Sequence, residues 1–262
     1  MEFYSQNVDI SYGKNKIVED LNLRIPEGRV TVIIGANGSG KSTILKALCR
    51  ILHPDRGEVI LDGKNIYTQS TKELAKRIAI LPQSPESPEG LTVEELVSYG
   101  RSPYKVGYGK LDAQDKEKIA WALRVTGMTE FADRALEQLS GGQRQRAWIA
   151  LCISQDTEIL FLDEPTTFLD IAYQLDILKL LSDLNQNYKK TIVMVIHDLN
   201  QVARFADHVV AINKGKITCE GSAEEVLTPE NLKQVFGVLA DVVVDQRSKR
   251  PLCIPYDNIP SL

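Results

Sequence analysis

Gly35, Gly40, Lys41 and Ser42 stand in the spacing G-x-x-x-x-G-K-S, inside Gly35-Ala36-Asn37-Gly38-Ser39-Gly40-Lys41-Ser42-Thr43. These residue types at this spacing suit one task, holding a polyphosphate. Glycines let the backbone curl so that successive N–H groups face an anion. A helix that starts there adds its positive dipole end. Lys41 brings a point charge to the terminal phosphates, and the Ser42 hydroxyl is an oxygen ligand for Mg²⁺. A plain glycine turn before a core helix would not need Gly, Lys and Ser together. The stretch is not a dinucleotide fingerprint, because Thr43 stands where a third glycine is required.

Other residues able to do chemistry lie where apolar runs end. Ile159-Leu160-Phe161-Leu162 leads into Asp163-Glu164. An acid at the end of a parallel strand can hold Mg²⁺ or its waters, and its neighbour can polarise a water for in-line attack on a γ-phosphate. Adjacent acids on a loop are often only a solvated turn, but the apolar run before these two favours chemistry. Ile78-Ala79-Ile80-Leu81 ends at Pro82-Gln83, whose amide is suited to ligate Mg²⁺ and sense a γ-phosphate. Thr191–Ile196 ends at His197, where ligands bind in an open α/β sheet. There a histidine is either a helix cap or a donor to the γ-phosphate that orients the attacking water.

Leu139-Ser140-Gly141-Gly142-Gln143 opens a helix with a serine cap and close backbone approach, a second anion-ready N-terminus. One nucleotide does not need two cradles, so the second is expected to serve a nucleotide held by another subunit. The alternative is a capped helix start with Arg144 and Arg146 on a solvated face. Asp170 is expected to open a helix over 171–184, as a cap, in catalysis, or both. Tyr12, beside Gly13, is either a stacking platform for a base or a turn tyrosine, and its local sequence favours the turn.

Elements that position these residues can be read from pattern. Residues 2–34 read as β-structure, with Val30–Ile34 feeding the glycine loop and a helix over 42–52 following it. A strand is expected over 58–61, a short helix over 72–77 and a loop over 84–90. From Leu91 to about Thr129 the texture is helical. Thr92 and Glu95 have capping-box spacing, and a second helix over 111–125 is capped near Asp112. A helix over 144–153, a hairpin over 209–220, a helical stretch over 223–236 and a strand-like tail complete the chain. Its 262 residues are 43% hydrophobic and 25% charged, with a formal net charge of −4, a globular composition without a nucleic-acid footprint. No apolar run approaches the ~20 residues of a membrane span. Met1–Gln6 predicts no signal peptide. Cys49, Cys152, Cys219 and Cys253 lack metal-ligand spacing and are expected to be buried free thiols.

In this order the pieces resemble the nucleotide-binding subunit of an ATP-binding cassette (ABC) transporter, over nearly the whole chain. The resemblance makes Tyr12 the base-stacking aromatic, Gly35–Ser42 the phosphate loop and Gln83 the Q-loop residue. It makes Leu139–Gln143 the family signature, Glu164 the base, Asp170 the D-loop aspartate and His197 the switch histidine. It implies ATP and Mg²⁺ as cofactors. It also implies a head-to-tail dimer, with ATP held between the phosphate loop of one copy and Ser140 and Gly142 of the other. Transmembrane permease subunits, an indirect solute-binding protein and a place at the cytoplasmic face of the membrane follow, with no nucleic acid. The fold implied is an α/β P-loop NTPase core of ABC type, with an antiparallel β subdomain and an α-helical signature subdomain. Its expected division is a single ABC ATPase domain: core and β subdomain over 1–90 and 155–236, helical subdomain over 91–154, C-terminal tail over 237–262.

Gly90–Pro103, Leu139–Arg146 and Asp163–Asp170 resemble the branch serving iron(III)-siderophore importers, such as the ferrichrome and ferric citrate systems. Phe168 stands where a tyrosine is expected. Haem and cobalamin importers are close relatives. A single-cassette ATPase of cofactor assembly is the alternative outside transport, against which Tyr99-Gly100-Arg101 argues.

Overall fold

Alternating apolar residues draw β1 (Phe3–Tyr12) and β2 (Asn15–Ile25) into an antiparallel pair. Phe3, Val8 and Ile10 on one strand, and Val18, Leu21, Leu23 and Ile25 on the other, are buried. Ser5 joins this core because its hydroxyl donates to the Leu21 carbonyl and accepts from the Leu23 N–H. β3 (Val30–Gly35) is buried along its whole length and leads through the glycine loop into α1 (Lys41–Leu48). β4 (Arg56–Leu61) and β5 (Lys64–Asn65) extend the first sheet in the order β2-β1-β4-β5.

The computed structural model describes residues 1–86, 88–105 and 110–259; Ser87 of the expected 84–90 loop and 260–262 of the expected tail lie outside the described residues. By internal contacts the chain divides into two compact units, Met1–Thr68 with Thr191–Leu262, and Gln69–Lys190. Residues 69–90 and 155–190 thus group with the helical stretch.

The second unit begins with α2 (Thr71–Leu74), shorter than the expected 72–77 helix, and β6 (Ile78–Leu81). α3 (Val93–Tyr99), α4 (Ala113–Val125) and α5 (Gly141–Ser154) follow, then β7 (Ile159–Asp163) and α6 (Ile171–Tyr188). Capping boxes start three of its helices: Thr92 with Glu95, Asp112 with Asp115, and Ser140 with Gln143. α3, α4 and α5 pack against one another, with Gly100 and Arg101 at their junction. A Cβ at Gly100 would overlap Ser154 Oγ and the Leu151 carbonyl, so only glycine lets these helices approach. Arg101 is buried; its Nε donates to Asp115 Oδ1 at 2.9 Å and its Nη1 to the Ser154 carbonyl at 2.8 Å. The guanidinium also lies 3.8 Å from the centre of the Tyr104 ring.

Removing one member of a buried ion pair strands the other charge, at about 3–5 kcal/mol. Arg101→Ala is therefore expected to destabilise the protein by about that amount. Urea unfolding checks it, and a loss under 1 kcal/mol would show that water or rearrangement already compensates Asp115. Cys152, on α5, is buried against β6, and burial pushes its thiol up to about 12. It is held as an inert thiol; Cys253 is buried as well, whereas Cys49 and Cys219, expected to be buried, are only partly so, and no disulfide joins any of the four.

The first unit resumes with β8 (Thr191–Val195), α7 (Leu199–Phe205), β9 (His208–Asn213) and β10 (Lys216–Gly221). α8 (Ala223–Val226), α9 (Pro229–Phe236), β11 (Val238–Val244) and β12 (Pro251–Asn258) close it. β3 lies between β8 and β9 and is parallel to both. Its hydrogen-bonding edges are therefore covered on both sides, which suits its continuous Val and Ile run. β11 and β12 pair into a hairpin, so the strand-like tail is an ordered element held to α7 through Asn200, which bonds the Cys253 backbone.

Candidate nucleotide site

Parallel register places the chemistry in each unit. In the first, Val30 pairs with Ile192 and Ile33 with Val195. Gly35 and His197 each follow two residues after that last pair, so the glycine loop and His197 leave the same carboxyl edge. His197 is not the cap of the next helix. That role belongs to Asp198, whose Oδ1 accepts from the N–H groups of Asn200 and Gln201 at 2.8 and 3.1 Å. The capping alternative for His197 is thus removed, and its ring is exposed at this edge.

The loop itself is built for an anion. Gly38 and Gly40 have φ of 76° and 102°, left-handed values that a side chain resists. Gly40 is the N-cap of α1 and offers no side-chain acceptor, and the first turn of α1 holds no acid. The first turn of a helix has no intrahelical acceptors for its N–H groups, which is the geometry that suits an anion. Ser39 Oγ is buried without a hydrogen-bond partner, a polar atom that a phosphate oxygen can satisfy. Lys41 is buried, and its ammonium donates to the carbonyls of Gly35 and Ala36 at 2.9 Å each. Asn37 is exposed at the rim, while Ser42 and Thr43 are half-buried in the first turn. Tyr12 ends β1, half-exposed, across a tight turn from Asn15.

In the second unit, β6 and β7 are parallel with Leu81 opposite Leu162. Two residues further on, Gln83 and Glu164 meet: Gln83 Nε2 donates to Glu164 Oε2 at 2.7 Å. Asp163, the last residue of β7, is buried beside them. Ser140 and Gln143 close their capping box on α5, with Ser140 Oγ accepting from the Gln143 N–H. That leaves the N–H groups of Gly141 and Gly142 as first-turn donors without intrahelical acceptors. Asp170 is the N-cap of α6, and its Oδ1 accepts from the Tyr173 N–H. Arg144, exposed, and Arg146, half-buried, each donate to a backbone carbonyl, those of Leu136 and Thr126.

Sequence reasoning missed two side chains here. Thr167 Oγ1 donates to Glu164 Oε2 at 3.0 Å, a contact its distance of three residues across a proline turn could have suggested. Tyr173 lays its ring on Gly142, which no local pattern signals.

A phosphate cradle at the edge of a parallel sheet and a signature helix opened by Ser-Gly-Gly define an ATP-binding cassette. The family model described as "ABC transporter" matches residues 18–167, and the chain belongs to that family. It is an ABC-type ATPase, with the α/β cassette fold expected of it. The chain is 55% identical to the iron(3+)-hydroxamate import ATP-binding protein FhuC of Bacillus subtilis (strain 168), over 97% of this chain and 95% of that one. It is 47% identical to the petrobactin import ATP-binding protein FpuD of Bacillus anthracis, over 96% and 92%. Among solved structures, a dimeric bacterial ABC transporter cassette superposes with a TM-score of 0.74 at 30% identity, covering 84% of this chain and 98% of that one.

Tyr173 makes Gly142 sterically exacting. A Cβ at Gly142 would sit 2.7 Å from Cδ1 and 2.9 Å from Cγ of the ring. Overpacking of this kind costs about 1–3 kcal/mol. Gly142→Ala is expected to lower ATP turnover about tenfold, and Gly142→Ala with Tyr173→Ala to regain part of it, as steady-state phosphate release would show. No recovery in the double variant would mean that the ring is not the obstacle.

Proposed function

We propose that this chain is the ATP-hydrolysing subunit of an importer for an iron(III)-siderophore complex. The observation that carries the substrate is 55% identity over 97% of the chain to an iron(3+)-hydroxamate import ATP-binding protein. On this reading the chain works as a dimer with transmembrane permease subunits at the cytoplasmic face of the membrane, and a solute-binding protein delivers the chelate. It is one ABC ATPase domain, with residues 91–154 as its helical subdomain and 237–262 as its tail.

ATP lies on the N–H groups of residues 38–43, with Asn37 at the rim and Tyr12 against the base. Ser140, Gly141, Gly142 and Gln143 of a second copy close over the γ-phosphate, and Asp170 supports that junction. Ser42, Gln83 and Asp163 offer hard oxygen donors, a set that suits Mg²⁺ completed by phosphate oxygens and water. When bound, that ion neutralises charge on the β- and γ-phosphates. Lys41 adds a fixed positive charge at the terminal phosphates, where charge develops. Glu164 accepts a proton from the attacking water, and His197 hydrogen-bonds the γ-phosphate and holds that water in line. The Gln83–Glu164 hydrogen bond supports this assignment, because it links the residue beside the γ-phosphate to the base.

Pull-down from detergent-solubilised native membranes tests the transport reading. Recovery of a polytopic membrane pair, followed by loss of ⁵⁵Fe-hydroxamate uptake when the chain is deleted, is the expected result. Intact iron uptake with loss of haem or cobalamin uptake would move the assignment to those importers. Recovery of soluble partners alone would point to cofactor assembly.

A further inference from the structure

Glu164 has φ of 52°, a left-handed backbone conformation that residues with a side chain seldom adopt. Such strain persists only where neighbouring contacts over-determine it, and it concentrates at working sites. Here Thr167 supplies two of those contacts. Its N–H donates to the Glu164 carbonyl at 3.2 Å, closing the turn Glu164-Pro165-Thr166-Thr167. Its hydroxyl donates to Glu164 Oε2 at 3.0 Å, the same oxygen that accepts from Gln83 Nε2 at 2.7 Å.

We propose that Thr167 is a positioning residue for Glu164, its hydroxyl and the Gln83 amide together holding the carboxylate in one rotamer through Oε2. The inference rests on Glu164 being the base. A base must lie within hydrogen-bond reach of the proton it takes, so a carboxylate free to rotate spends part of its time out of place. A carboxylate held on one oxygen by donors from two chain segments does not. The hydroxyl is the only part of Thr167 that this role requires, which separates it from a residue that merely fills the turn.

The test compares Thr167→Val, Thr167→Ala and Thr167→Ser in the full chain, beside Glu164→Gln. Phosphate release gives kcat, and equilibrium binding of a fluorescent ATP analogue gives affinity. Valine keeps the shape and removes the hydroxyl; serine keeps the hydroxyl and removes the methyl. Loss of a hydrogen bond to a charged group predicts a fall in kcat of about ten- to a hundredfold for both Val and Ala, since such bonds are among the stronger ones. Affinity is expected to stay within about twofold, and Ser to restore kcat to within about threefold. Wild-type kcat in the Val and Ala variants would overturn the inference, as would equal loss in the Ser variant. Glu164→Gln separates this from the parent reading. If Glu164→Gln is inactive and Thr167→Val is normal, only the role of Thr167 falls. If Glu164→Gln turns over at the wild-type rate, both fall.

Discussion

Glu164→Gln is expected to bind ATP as the native chain does and to lose turnover by about a thousandfold. General-base catalysis contributes about 10²–10⁴ in rate, and glutamine cannot take the proton. The substitution is otherwise gentle. Glutamine matches the volume of glutamate, keeps a carbonyl oxygen to accept from Gln83 and Thr167, and leaves Asp163 and the phosphate loop untouched. What disappears is the negative charge and the basic site. Steady-state phosphate release and equilibrium nucleotide binding, measured on one preparation, separate the two effects. Turnover at the native rate would remove Glu164 as the base; loss of both turnover and binding would mean that the carboxylate supports the structure of the nucleotide site.

Lys41→Ala is expected to weaken ATP binding by about a hundredfold or more. The ammonium is a buried point charge whose position is set by the Gly35 and Ala36 carbonyls. A charge-assisted hydrogen bond from an ammonium to a phosphate is worth about 1.5–3 kcal/mol, and about 2.7 kcal/mol is a hundredfold in Kd. Arginine would not restore binding, because its planar fork is larger and cannot occupy a site shaped for a compact ammonium. Isothermal titration with ATP checks both substitutions. Affinity within tenfold of the native value for Lys41→Ala would mean that the terminal phosphates rest on the backbone N–H groups alone.

Much of the site was legible in the chain because much of it is local. A phosphate loop, a capping box and a helix cap are built from residues a few positions apart, and backbone geometry alone brings them together. Ser140 as the cap of α5, Thr92 with Glu95, and Asp170 at the start of α6 all stand where the sequence predicted. His197 was ambiguous for the same local reason: cap and ligand look alike until Asp198 is seen to take the cap. In the sequence, Tyr99-Gly100-Arg101 is only a mark of a family branch. The fold gives it a structural role, as the glycine contact and buried cation that join α3, α4 and α5.

By itself, then, the sequence determined which loops could hold phosphate, which acids ended an apolar strand, and to which family the whole order of motifs is similar. The tertiary structure alone decided which of those loops meet. Gln83 and Glu164 are 81 residues apart and touch only because β6 and β7 pair with Leu81 opposite Leu162. Gly35 and His197 share an edge only because β3 and β8 pair with Ile33 opposite Val195. Such strands are buried along their length and read as unbroken apolar runs, with no alternation to name a partner or a register. Partner and register come from packing among residues distant in sequence, and that packing brings Gln83 to Glu164 in one unit and the glycine loop to the edge of His197 in the other.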